Sequence, residues 1–109
     1  MHLLTVGLSH RTAPIELREK LAPHPGQIPD LLQQLQERGL GSEAVLLSTC
    51  NRVELYTVPG PRTSTEDVAR WMLELGGLSQ RTAMRHLYRY KEQDALRHLF
   101  RVISSLDSM

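Results

Sequence analysis

Hydrophobic and polar residues follow two different periods along this chain, and the period changes where one predicted element gives way to the next. Short apolar or alternating runs, bounded by glycine, proline or polar residues, predict strands at residues 3–8, 43–48, 53–57 and 87–90. Apolar residues spaced by three and four predict helices at residues 15–21, 28–38, between Ser64 and Gly76, and at 80–85. The last predicted helix follows Asp94 and has its apolar face on Leu96, Leu99, Phe100 and Ile103.

The order of these elements is that of a βαββαβ unit with one further helix. We therefore predict an α+β fold, a ferredoxin-like βαββαβ sandwich whose four-stranded antiparallel sheet carries helices on one face, with an appended C-terminal helix. Thr12 is the expected N-cap of the first helix, ahead of Pro14. Residues 104–109 carry no helix stop signal, so we expect the chain to be the N-terminal piece of a longer protein.

Composition narrows the function classes without choosing one. The 109 residues carry 13 basic and 12 acidic side chains, so net charge does not indicate a nucleic-acid or membrane partner. Basic residues concentrate between Arg81 and Arg101, where they could meet phosphate or form a solvated helix face. The single cysteine excludes an internal disulfide, no signal-like start or spanning apolar run occurs, and the five histidines lack metal-site spacing. We expect a cytoplasmic protein without a metal.

Cys50, the only cysteine, lies in the turn between the second and third predicted strands. A turn at strand ends leaves a sulfur accessible, and the cation of Arg52 favours the reactive thiolate. This placement indicates a nucleophile, although a lone cysteine is often a small buried hydrophobe.

Three segments could meet around Cys50: the end of the first strand with His10, the turn itself, and the last helix with His98. A cysteine with a distant histidine suits covalent acyl chemistry, and Arg52 could grip a carboxylate with its planar fork. Each residue also has a structural interpretation. His10 could cap a helix, His98 could be half-buried on a helix face, and Arg52 could pair with Glu54 on the strand surface.

Three motifs make the chain similar to a known family. Residues 7–19, residues 47–56 with Ser-Thr-Cys-Asn-Arg-Val-Glu-Leu-Tyr, and residues 98–109 closely resemble the N-terminal region of glutamyl-tRNA reductase. They stand in the family's order with similar separations, and the resemblance is weak only over residues 59–89. Ser105 stands where many relatives have glycine.

The resemblance implies the first step of tetrapyrrole synthesis by the five-carbon route. Enzymes of this family reduce glutamyl-tRNA to glutamate-1-semialdehyde with NADPH, through a thioester on a cysteine. By motif, Cys50 resembles the nucleophile and His98 the histidine important for activity. The residues that resemble substrate contacts are Thr49, Asn51, Arg52, which would hold the glutamate side-chain carboxylate, and Ser108.

The resemblance also implies partners that lie outside this chain. Residues 1–109 would be a single catalytic, glutamyl-binding domain, because the family's NADPH-binding and dimerisation domains are absent from them. We expect this domain to bind no NADPH and to perform at most acyl transfer or ester hydrolysis. The full enzyme would be a homodimer that passes its product to glutamate-1-semialdehyde aminotransferase, with no membrane involved.

Two other classes of function compete with this hypothesis. A non-catalytic βαββαβ module could bind RNA or a small ligand through sheet aromatics, for which Tyr56, Tyr88 and Tyr90 are the candidates. A cysteine hydrolase of another type would need a carboxylate or amide to orient its histidine. The sequence alone nominates no such group.

Overall fold

A computed structural model describes residues 2–104 of the chain. Its strands are β1 (Leu4–Ser9), β2 (Glu43–Ser48), β3 (Arg52–Val58) and β4 (Tyr88–Lys91). Its helices are α1 (Ile15–Leu21), α2 (Ile28–Glu37), α3 (Thr65–Leu75), α4 (Gln80–Ala83) and α5 (Gln93–Ile103). Single 3₁₀ turns occupy Pro25–Gln27 and Met84–His86. Ser108 and Ser105 lie outside the described residues.

The four strands form one antiparallel sheet in the order β2-β3-β1-β4, which confirms the predicted ferredoxin-like topology. The register pairs Ser9 with Arg52. Gly7 stands opposite Glu54 on one side and Tyr88 on the other. Because β1 is flanked by β3 and β4, side chains from all three strands can meet on one face.

The first face of the sheet carries the hydrophobic core. Apolar side chains that alternate along the two central strands pack against α1, α2 and α3. They include Leu4, Val6, Leu8, Val53 and Leu55, which meet Leu21, Leu35, Val68 and Trp71 from the helices. The alternation expected for one buried face of an antiparallel sheet is therefore present.

The second face is covered by α5, the appended helix that the sequence left unplaced. Ala95, His98 and Val102 are the buried residues of α5, and His98 contacts residues of both β3 and β4. Every residue of β1 is buried, as expected for a strand covered on both faces. This second layer is what encloses polar groups of the sheet.

Local chemistry at two helix starts differs. Ser64 caps α3, since its hydroxyl accepts from the Asp67 amide while the Asp67 carboxylate accepts from the Ser64 amide. Thr12 does not cap α1, so that prediction is wrong. Its hydroxyl accepts from the Ser9 amide instead and tightens the turn after β1.

No helix within residues 2–104 is long and apolar enough to cross a membrane.

Candidate active site

The turn between β2 and β3 presents Cys50 to solvent. The Thr49 hydroxyl accepts hydrogen bonds from the amides of Asn51 and Arg52, both at 3.2 Å, and the Thr49 amide donates to the Arg52 carbonyl at 2.8 Å. These bonds close a tight turn and leave Cys50 exposed at its tip. The interpretation of Cys50 as a buried hydrophobe is therefore wrong.

The end of β1 meets this turn, as the sequence suggested but could not establish. The His10 amide donates to the Asn51 carbonyl at 2.7 Å, and Ser9 is the register partner of Arg52. Two of the three candidate segments therefore converge beside Cys50.

Arg52 and Glu54 form a buried ion pair. The Arg52 Nη1 donates to Glu54 Oε2 at 3.0 Å, and the two side chains are 1% and 0% exposed. The structural interpretation placed this pair on the strand surface, which is wrong because α5 covers that face. A buried pair of this kind needs further hydrogen bonds to offset the loss of hydration.

Further side chains supply those hydrogen bonds. The Tyr56 hydroxyl donates to Glu54 Oε1 at 2.8 Å, whereas the Tyr88 hydroxyl and His98 Nε2 both contact Oε2, His98 at 2.5 Å. With Arg52, the donors to this carboxylate within residues 2–104 come from β3, β4 and α5. We call Arg52, Glu54, Tyr56, Tyr88 and His98 the Glu54 cluster.

His98 is held by both hydrogen bonding and ring contact. Because Glu54 is an acceptor, the Nε2 atom of His98 carries the shared proton. The imidazole stacks on Tyr90 at a centroid distance of 4.8 Å and contacts Tyr88 at 5.1 Å. Within the described residues no hydrogen bond joins His98 to Cys50. In this arrangement the His98 ring nitrogen contacts Glu54 and not the Cys50 thiol.

The titration of the cluster follows from these contacts. Burial alone raises the pKa of Glu54, but the donors His98, Tyr88 and Tyr56 outweigh burial and hold that pKa below its ordinary value. Burial and the neighbouring carboxylate raise the pKa of both Tyr56 and Tyr88. Glu54 is thus an ionised acceptor at neutral pH, and both tyrosines remain donors.

The stability of the domain is expected to fall in acid partly because of Glu54. A carboxyl whose pKa is lower in the folded chain stabilises the fold fully above its unfolded pKa, about 4.3 for glutamate. That contribution is lost as the pH falls through the lower pKa of the folded state. Measured by urea unfolding from about pH 7 to about pH 3, the free energy of unfolding should fall more steeply for wild type than for Glu54→Gln. An equal dependence of the free energy of unfolding on pH in the two proteins would contradict this account.

Gly7 makes room for the Glu54 side chain. A Cβ atom on Gly7 would lie 2.6 Å from the Val53 carbonyl oxygen and 2.8 Å from Glu54 Cγ. Only glycine therefore allows the Glu54 side chain to lie over β1 between β3 and β4.

Sequence reasoning missed Gly7, Glu54 and Tyr88 as site residues. The available signal was the alternation of Arg52, Glu54 and Tyr56 with apolar residues in a central strand, which places three polar groups on one face.

His98 also borders a small open pocket beside α5 and β4. The pocket encloses about 210 Å³ and is lined by Tyr90, Asp94, Arg97, His98 and Arg101. Arg97 pairs with Asp94 at 3.5 Å, with both side chains well exposed. Part of the basic C-terminal third is therefore a solvated helix face next to the imidazole.

The tyrosines of the competing RNA-binding hypothesis are committed to other contacts. Tyr56 is 6% exposed and bonded to Glu54, and Tyr88 and Tyr90 are partly buried against His98. RNA-binding sheets stack bases on open aromatic faces. The sheet face that bears these rings is covered by α5, so the geometry does not favour that alternative.

The sequence of this chain matches a family of known proteins. The family model described as the N-terminal domain of glutamyl-tRNAGlu reductase matches residues 6–109. The chain belongs to this family. The resemblance that the three motifs predicted is thereby confirmed.

Individual relatives agree with the glutamyl-tRNA reductase family. Glutamyl-tRNA reductase of Shewanella oneidensis is 44% identical over all 109 residues, which cover 26% of that protein. The Hydrogenovibrio crunogenus protein of the same name is 39% identical and covered to 25%. A solved structure of glutamyl-tRNA reductase from Methanopyrus kandleri matches 98% of this chain and 23% of its own, with 34% identity and a TM-score of 0.69. The chain thus spans about a quarter of the length of these relatives.

Proposed function

We propose that this domain binds the glutamyl group of glutamyl-tRNA and accepts it on Cys50. The observation that carries the proposal is an exposed thiol in a hydrogen-bonded turn, two residues before a buried arginine held by Glu54. The parent enzyme would then reduce the bound acyl group to glutamate-1-semialdehyde, the first step of tetrapyrrole synthesis by the five-carbon route.

The acyl transfer needs only groups that this domain and its substrate possess. The Cys50 thiolate attacks the carbonyl carbon of the aminoacyl ester and forms a carbon–sulfur bond. The ester carbon–oxygen bond breaks, and the ribose hydroxyl of the tRNA leaves with a proton from solvent. An aminoacyl ester is already activated, so a positioned thiolate suffices for this exchange.

Selection of glutamate is assigned to Arg52. Its guanidinium can form charge-assisted hydrogen bonds with the side-chain carboxylate of a glutamyl group. A glutaminyl group would offer a neutral amide in place of the carboxylate and would lose the charge-assisted hydrogen bonds, which lowers its affinity relative to a glutamyl group. Thr49, Asn51 and Ser108 are proposed as the other substrate contacts, and His98 as the histidine that supports the reaction.

Hydride transfer is assigned to a further domain of the parent enzyme. The chain has no glycine-rich G-x-G-x-x-G turn after a strand, so its residues do not fit a nicotinamide dinucleotide. We propose that residues 1–109 are the catalytic domain and that NADPH binds elsewhere in the longer protein. From the family resemblance we also propose that the parent enzyme is a cytoplasmic homodimer. It would pass the aldehyde to glutamate-1-semialdehyde aminotransferase.

Cys50→Ser is expected to abolish acylation. Intact mass spectrometry after brief incubation with glutamyl-tRNA and an acid quench should show a glutamyl adduct on wild type and none on the variant, because serine lacks a comparable nucleophile. Glutaminyl-tRNA serves as the substrate control and should give little adduct with wild type.

The same experiment separates the competing functions. An RNA-binding module would bind the tRNA equally well with Cys50→Ser and form no adduct. A broad cysteine hydrolase would accept the glutaminyl ester as readily as the glutamyl ester. A wild-type chain without a Cys50-dependent adduct contradicts the proposed acyl transfer.

A further inference from the structure

Tyr88 contacts three members of the Glu54 cluster, although no motif pointed to it. Its hydroxyl lies near Glu54 Oε2 and 3.5 Å from Arg52 Nη1, and its ring packs against His98 at 5.1 Å. We infer that Tyr88 is a positioning residue for carboxylate selection: its hydroxyl holds Arg52 and Glu54 in one arrangement, while its ring supports His98. This inference rests on the proposed function, in which Arg52 binds the glutamyl carboxylate.

The sheet register explains how Tyr88 reaches both charged groups. Tyr88 and Glu54 flank Gly7 from opposite sides, so no side chain of β1 stands between them. The Tyr88 hydroxyl can accept from Arg52 and donate to Glu54 at the same time. An oxygen that bridges a cation and an anion in this way fixes the distance and orientation between them.

The charge balance of the cluster gives Tyr88 a role in selectivity. An unshared Glu54 carboxylate beside Arg52 would cancel much of the guanidinium field and repel a second carboxylate. Hydrogen bonds from Tyr88, Tyr56 and His98 distribute the Glu54 charge over several donors. Arg52 then retains attraction for a substrate carboxylate while Glu54 still holds it in place.

Tyr90 offers a matched control on the same strand. It projects from the same sheet face two residues later and stacks on His98 at 4.8 Å. Its hydroxyl makes no hydrogen bond to Glu54 within residues 2–104, whereas that of Tyr88 does. Tyr90→Phe therefore removes an equivalent hydroxyl without touching the link between Arg52 and Glu54.

The test compares Tyr88→Phe with Tyr90→Phe. The first readout is the ratio of Cys50 acylation rates with glutamyl-tRNA and glutaminyl-tRNA. Loss of one hydrogen bond to a charged group predicts a fall in this ratio of about tenfold for Tyr88→Phe. Tyr90→Phe should leave the ratio unchanged.

The second readout is independent of the reaction. Carbon-13 NMR titration of the Glu54 carboxyl should show its pKa rising toward the ordinary value in Tyr88→Phe, because one donor is lost. The groups that face this carboxylate from β3, β4 and α5 are Arg52, Tyr56, Tyr88 and His98, and only one of them changes. Tyr90→Phe should titrate like wild type.

Each outcome decides the role of Tyr88. An equal fall in the acylation ratio for both variants, or an unchanged Glu54 titration in Tyr88→Phe, would overturn it. A wild-type chain that forms no Cys50 adduct would refute the proposed function itself. The titration then decides alone whether Tyr88 positions the carboxylate.

Discussion

Glu54→Ala is expected to destabilise the domain by about 3–5 kcal/mol, the range seen when one partner of a buried ion pair is removed. Arg52 is 1% exposed and loses the carboxylate 3.0 Å from its Nη1. Tyr56, Tyr88 and His98 lose the same acceptor. Since small domains are stable by only about 5–15 kcal/mol, this single change should be visible as a large shift in the urea midpoint.

Glu74→Ala is the matched control for this change. Glu74 pairs with Arg38 at 3.2 Å, but the two side chains are 54% and 55% exposed. Exposed pairs of this kind contribute about 0–1 kcal/mol, so the control should unfold close to wild type. A loss for Glu54→Ala no larger than that for Glu74→Ala would show that the buried cluster contributes little to folding.

Gly7→Ala is expected to cost about 3 kcal/mol and to disturb the site as well as the fold. The added methyl would lie 2.6 Å from the Val53 carbonyl oxygen and 3.0 Å from Glu54 Cα, and neither backbone atom can move without breaking the sheet register. Its contact of 2.8 Å with Glu54 Cγ would push the carboxylate away from Tyr88 and His98. Both the urea midpoint and the rate of Cys50 acylation should therefore fall.

Gly26→Ala provides the control for adding a methyl group elsewhere. A Cβ atom at Gly26 would meet nothing within 4 Å. Its effect should stay within about 0.5 kcal/mol, as for most surface substitutions. If Gly7→Ala proved equally mild, the close approach of β3 to β1 at Glu54 would not be a requirement of the fold.

The order of elements was readable from the sequence because it depends on local chemistry. The boundaries of α1 and β2 are those predicted, since Pro14 fixes the backbone ahead of α1 and Gly39 adopts the positive φ that ends α2 ahead of β2. β3 begins one residue earlier than predicted, at Arg52, because the buried ion pair allows a charged residue to join the strand. Thr12 does not cap α1 because its hydroxyl accepts a hydrogen bond from the Ser9 amide instead.

Some residues of the site could be predicted from the sequence, and others only from the fold. The turn around Cys50 and the positions of Thr49, Asn51 and Arg52 in it follow from neighbouring residues, and the family motifs named those residues. Glu54 was assigned to the surface because nothing local indicates that a helix 40 residues later covers it. Tyr88 entered only as a possible base-stacking ring for the same reason.

The amino-acid pattern was sufficient for the strands, the helices, their βαββαβ order and the family, since periodicity and short motifs are properties of neighbouring residues. Tertiary structure alone decided that α5 covers the second sheet face, that Arg52 and Glu54 are buried, and that Glu54 and Tyr88 meet across Gly7. These features depend on contacts between β1, β3, β4 and α5, which lie far apart in the chain. Burial then turns a surface-type pair of opposite charges into a hydrogen-bonded cluster, because a charge removed from water must find its partners within the protein.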